Sequence, residues 1–169
     1  MVSVLGYAKS GKTTLLEQLC VRAVDRDLSV AFLKGGRLSH GGESKEGDTL
    51  RLARLGAQPS LLWSAEGLFL QRSRLEQLSE APLPSPQEFA ETWEAAVGGE
   101  TRELLTSRDL LLLEGRVPAG ARRVHMVRLA DGALKVPPAP GEIVVSGPEE
   151  ISRIVEVILA APPGRGEEG

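Results

Sequence analysis

The chain has 169 residues, few aromatics and a net charge of −3. That length suits one domain with a sizeable core, which buries roughly 70% of the unfolded surface, and the mildly acidic balance gives no general attraction to nucleic acid or an anionic membrane. The lone cysteine, Cys20, excludes an intrachain disulfide, the two histidines lie too far apart in sequence for a zinc site, and no apolar run approaches the roughly 20 residues that span a bilayer.

The first element is the apolar run 2–5, which reads as a buried strand and passes directly into Gly6-Tyr7-Ala8-Lys9-Ser10-Gly11-Lys12-Thr13. This is the spacing G-x-x-x-x-G-K-[ST], in which a strand enters a glycine-bearing loop and leaves into a helix. Backbone N–H groups and the positive end of the helix dipole then face one phosphate chain. Gly6 and Gly11 leave room for that approach. Lys12 is expected at the β- and γ-phosphates, the Thr13 hydroxyl at Mg²⁺, and Thr14 near the α-phosphate. Ser10 completes the loop, whereas Lys9 reads as a solvated loop charge more readily than as a catalytic lysine.

Leu15, Leu16, Leu19, Cys20, Ala23 and Val24 recur at helical spacing, so a first helix packs on a sheet with Cys20 in its core face. Residues 29–33 read as a second buried strand, and the strand–helix–strand order begins a parallel α/β sheet. Residues 34–47 carry five glycines and little apolar periodicity, which predicts a mobile loop at a strand's carboxyl end. Asp48 and Thr49 can cap a helix that Gly56 ends, and residues 60–63 read as a strand.

The stretch 68–78 is amphipathic and predicts a helix, interrupted by the prolines of 81–86 and resumed over 87–97. Phe89, Trp93 and Val97 share one face, for core packing or, with Trp93 exposed, for a partner. The run 110–113 reads as a buried strand that delivers Glu114, which can hold a metal-bound water or orient an attacking one. Residues 124–129 and 134–136 flank Asp131-Gly132, a hairpin signal that predicts an antiparallel extension, with His125 structural or exposed. Residues 142–145 form another strand. Ile151, Ile154, Val155, Ile158 and Leu159 make the stripe of a closing helix.

Taken together, Gly6 through Thr14, Gly47-Asp48-Thr49 with Leu55-Gly56-Ala57, and Asp109 through Gly115 resemble the molybdopterin-guanine dinucleotide biosynthesis adapter family, MobB. The resemblance runs nearly end to end and includes Lys34 closing the second strand. It implies a P-loop NTPase fold of class α/β, a three-layer sandwich with a mainly parallel sheet and an antiparallel extension. It further implies that Gly11, Lys12, Thr13 and Thr14 bind nucleotide phosphates, with Asp48 and Glu114 close to Mg²⁺. The ligand would be GTP, with ATP as the alternative. The family's members are weak GTPases and homodimers that assist a nucleotidyltransferase partner in attaching GMP to molybdopterin. Lys34-Gly35 and Arg116-Val117 depart from the family's lysine–histidine and phenylalanine–lysine pairs, and residues 68–107 look longer than the usual connection.

The organisation expected is one phosphate-loop domain over residues 1–161 and a disordered tail over 162–169, in a cytoplasmic protein with no export signal and no nucleic-acid partner. The chain contains no asparagine, so the N-K-x-D base-reading motif is absent. An enzyme reading makes Glu114 and Lys12 the catalytic pair of a slow hydrolase, with Arg37, Arg72, Arg74 or Arg116 as suppliers of transition-state charge. The other readings are an adapter that uses nucleotide to set its conformation, and a small-molecule kinase in which Arg72 or Arg74 closes as a lid.

Overall fold

The computed structural model describes residues 1–36, 47–72 and 75–160. Strand β1 (Val2–Gly6) leads through the glycine loop into helix α1 (Lys12–Val24), followed by β2 (Val30–Gly35), α2 (Asp48–Arg54) and β3 (Ala57–Ser64). Then come β4 (Gly67–Gln71), β5 (Leu75–Ser79), α3 (Pro86–Val97) and α4 (Gly99–Thr106). The chain ends in β6 (Leu110–Glu114), β7 (Arg122–Met126), β8 (Ile143–Val145) and, after one tight helical turn at Pro148–Glu150, α5 (Ile151–Ala160).

All eight strands belong to one sheet in the order β5-β4-β3-β2-β6-β1-β7-β8. Six are parallel, from β3 through β8 in that order, and β4 and β5 extend one edge antiparallel. The parallel strands read as continuous apolar runs because helices cover both faces. Val2, Val4, Phe32, Leu112 and Met126 pack with α1, α2 and α5 on one side. Ala31, Leu33, Trp63, Leu111 and Leu113 pack with Phe89, Trp93 and Val97 of α3 and Leu105 of α4 on the other. This is the expected three-layer α/β sandwich, mainly parallel with an antiparallel extension.

Three expectations are corrected. The stretch expected as a helix over 68–78 instead supplies two strands: β4 pairs with β3 through Leu61↔Leu70 and Ser64↔Gly67, and β5 pairs with β4. Sheet pairing overrides the apparent helical period, because the exposed edge of β3 supplies backbone partners that an isolated helix would lack. Asp131-Gly132 does make a turn, with Gly132 at φ +71° and the Arg128 N–H donating to Ala133 O at 2.9 Å. Residues 134–136 nevertheless form no strand, because β8 occupies the edge of β7 in parallel. The antiparallel extension therefore lies at the opposite edge of the sheet. Lastly, Asp48 is the first residue of α2 rather than its cap; Gly47 stands at the N-cap without a side-chain bond.

Trp93 is buried against Phe89, with ring centroids 6.1 Å apart, so its apolar face belongs to the core and not to a partner surface. Cys20 is fully buried, and burial pushes its thiol up to about 11, consistent with a core role. His125 is buried and bonds Glu142 at 2.7 Å, as a structural histidine. No helix among the described residues is long and apolar enough to cross a membrane. The central part of the loop expected over 34–47, including Arg37, and also Arg74 and the tail 162–169, lie outside the described residues.

Candidate functional site

The carboxyl ends of β1, β2 and β6 meet at one point. β1 lies between β6 and β7, while the chain from β1 passes through α1 to β2 on the far side of β6. Open α/β sheets leave a crevice at such a reversal of strand order. Side chains alternate across a strand, so the positions in phase with Val4, Phe32 and Leu112 on the α1 face are Gly6, Lys34 and Glu114. Lys34 and Glu114 are moreover direct partners in the β2–β6 register, as Val4 and Glu114 are in β1–β6. The pleat therefore delivers a cation and an acid to the mouth of the glycine loop.

Gly6 is buried, and a Cβ there would fall 2.5 Å from Ser10 Oγ and 3.0 Å from Met126 Cβ. Gly11, at φ +88° and ψ 9°, is the left-handed N-cap of α1, which no side chain caps. A residue with a side chain would be strained at that turn. Lys9 is exposed at φ +60°, and Thr14 is exposed on the first turn of α1. The Ser10 hydroxyl is buried and has no hydrogen-bond partner.

Lys12 folds back over the loop, donating to Tyr7 O at 2.7 Å and lying 3.7 Å from Glu114 Oε1. The Thr13 hydroxyl donates to Asp48 Oδ1 at 3.1 Å, and the Lys34 ammonium bonds Asp48 Oδ2. All the expected site residues thus gather around the loop, with Asp48 carried in by the first residue of α2. Lys34 was not among them as a site residue. Its signal was available: a lysine two positions after Phe32 must share that residue's face at the strand's end.

Burial pushes the Glu114 carboxyl above the ordinary glutamate range, opposed by the charge of Lys34, reinforced by that of Asp48, and opposed again by Lys12. Burial also pulls Asp48 upward, but the bond and charge of Lys34, the Thr13 hydroxyl and Arg51 outweigh it and hold the group below the usual aspartate range. Glu114 Oε2 is buried without a hydrogen-bond partner. A buried, unpartnered carboxylate oxygen beside a second carboxylate and a threonine hydroxyl suits a hard divalent cation, which takes oxygen ligands. Among the described residues no group of three or more His, Cys, Asp or Glu side chains forms a metal cage. Mg²⁺ seldom uses one; it retains waters and phosphate oxygens beside one or two carboxylates.

Gly115 explains the glycine after the acid. It stands at φ +80°, and a Cβ would come 2.3 Å from Gly35 O, so only glycine lets the ends of β2 and β6 close. Arg116 turns its guanidinium to Gly115 O at 2.9 Å. Arg72 follows β4, whose antiparallel course takes it to the opposite end of the sheet, and it pairs with Glu76 at 3.4 Å. Within one chain Arg72 therefore supplies neither a finger nor a lid to the glycine loop.

A glycine loop between a central parallel strand and a helix, with a lysine and two acids at its mouth, defines the P-loop NTPase class of nucleotide-binding proteins. Residues 1–139 match the sequence profile of the family described as molybdopterin guanine dinucleotide synthesis protein B, MobB. The chain belongs to the MobB family, which places it in molybdenum cofactor biosynthesis. A solved MobB homologue from Bacillus stearothermophilus is 19% identical, with 94% of this chain and 97% of that one covered at a TM-score of 0.44. The MobB of Bacillus subtilis is 21% identical, with 96% and 98% covered at a TM-score of 0.46. No curated protein matches the chain significantly.

Proposed function

We propose that this chain is a Mg²⁺-dependent GTP-binding adapter with weak GTPase activity, which assists a nucleotidyltransferase partner in attaching GMP to molybdopterin. The observation that carries the reading is the convergence of Lys12, Thr13, Asp48 and Glu114 on the glycine loop, with one oxygen of Glu114 buried and unpartnered. Gly6, Ser10, Gly11, Lys12, Thr13 and Thr14 would hold the phosphates, with Lys9 at the rim. Thr13, Asp48 and Glu114 would hold Mg²⁺. The bound cation would supply charge neutralisation at the β- and γ-phosphates.

Lys12 would leave Tyr7 O for the phosphate oxygens, and Glu114 would position a metal-bound or attacking water. Among the described residues, Arg116 is turned to Gly115 O and Arg72 lies at the far end of the sheet, so in this arrangement neither of these two is placed on the phosphates, in keeping with the slow turnover proposed. A cytoplasmic homodimer is the form proposed, by family membership.

The test is a coupled assay with the molybdopterin nucleotidyltransferase. The adapter should raise the yield of guanine dinucleotide, and GTP alone should yield free phosphate slowly with no phosphorylated metabolite. A phosphorylated small molecule from a metabolite panel, with no effect on the partner, would instead make the chain a kinase.

A further inference from the structure

The acids of the site already face cations of the chain itself: Lys12 lies 3.7 Å from Glu114, and Lys34 holds Asp48. Lys34 and Glu114 are cross-strand partners on the face that carries the glycine loop, and the Lys34 ammonium is bonded to Asp48. About a quarter of the Lys34 side chain and a fifth of the Asp48 side chain remain exposed, so solvent screens the pair only partly. Asp48 at the start of α2 and Glu114 at the end of β6 repel each other when both are ionised, and the Lys34 charge, bonded to the first and cross-strand to the second, offsets that repulsion. A divalent cation on the same oxygens would need the same place in the local charge balance.

We infer that Lys34 is the resident counter-ion of the proposed metal site, holding Asp48 and screening Glu114 until a divalent cation takes these acids and the ammonium turns to the terminal phosphate. This rests on the nucleotide-binding reading for its second half only; competition between lysine and metal for the acids stands without nucleotide. Lys34 thereby couples metal entry to triphosphate. Metal entry costs Lys34 its bond to Asp48, so metal alone binds more weakly than it would without the lysine. With a γ-phosphate present, both cations are satisfied together.

Manganese binding to the full chain without nucleotide, followed by the electron paramagnetic resonance signal of free Mn²⁺, tests the inference. Lys34→Met keeps the aliphatic stem and removes the charge. It should bind Mn²⁺ about tenfold more tightly than the wild type or better, the scale of one removed unit charge at contact range. Lys34→Arg should keep the weak wild-type binding. The gain of Lys34→Met should vanish when Asp48→Asn is added, and the same charge change at Arg153, exposed on α5, should produce no gain. In chelator the Lys34→Met protein should melt at lower temperature than the wild type and recover with Mn²⁺, a rescue that loss of packing alone would not show.

A second arm compares a slowly hydrolysed GTP analogue with GDP, where Lys34→Met should lose the preference for triphosphate several-fold. Unchanged Mn²⁺ affinity in Lys34→Met, or a gain that survives Asp48→Asn, overturns the inference even if the wild type binds GTP. A raised Mn²⁺ affinity in a chain that binds no nucleotide would retain the counter-ion and sink the nucleotide reading instead.

Discussion

Lys12 and Glu114 sit 3.7 Å apart, yet they should fail differently when mutated. The Lys12 ammonium bonds Tyr7 O and faces Glu114 across the loop, outside both apolar layers. Lys12→Ala should therefore leave the melting temperature near that of the wild type while weakening triphosphate binding tenfold or more, since a hydrogen bond to a charged group contributes about 1.5–3 kcal/mol. Unchanged affinity by fluorescence titration would remove the phosphate from this loop. Glu114→Gln deletes a buried charge that burial disfavours, so the nucleotide-free protein should become no less stable. The same substitution should lower turnover more than nucleotide affinity. Equal turnover in both forms would make Glu114 structural.

At the scale of elements, glycines mark where backbones must touch. Gly67 opens β4 at φ +133°, and a Cβ there would lie 2.1 Å from Ser79 O of the neighbouring strand. Gly67→Ala should cost roughly 1–3 kcal/mol in denaturant unfolding, through backbone strain and loosened β4–β5 pairing. A variant as stable as the wild type would show that this edge does not depend on so close an approach.

The same hairpin shows where sequence stops informing. Leu68, Leu70, Leu75 and Leu78 satisfy a helical period loosely, and only the unpaired edge of β3 decides for strands. The buried central strands were legible because continuous apolar runs between glycines have few alternatives. So was α3, whose capping box joins Ser85 and Glu88 after the proline break. The turn at Asp131-Gly132 was legible, but its strand pairing was not, since occupation of the β7 edge by β8 is a non-local fact. In the site, the loop and Glu114 carried local motifs; alternation with Phe32 puts Lys34 on the same face, whereas its place opposite Glu114 needs the cross-strand register.

For the whole molecule, the sheet separates two tasks. Its central strands carry the glycine loop, Lys34 and Glu114 at their carboxyl ends, while α1, α2 and α5 on one face and α3 and α4 on the other bury two apolar layers that hold those ends in register. The antiparallel β4–β5 extension stands at the edge of the sheet, and α3 and α4 thicken one helical layer, while Leu83, between β5 and α3, bonds Ser64 O at the carboxyl end of β3. The proposed function rests on the charges that meet at the glycine loop. Calorimetric titration of the intact protein with slowly hydrolysed GTP and ATP analogues, each with and without Mg²⁺, tests this most directly. The expected result is tight binding of the guanine analogue that weakens at least tenfold in chelator. Equal binding with and without Mg²⁺, or a preference for the adenine analogue, would contradict the proposed function.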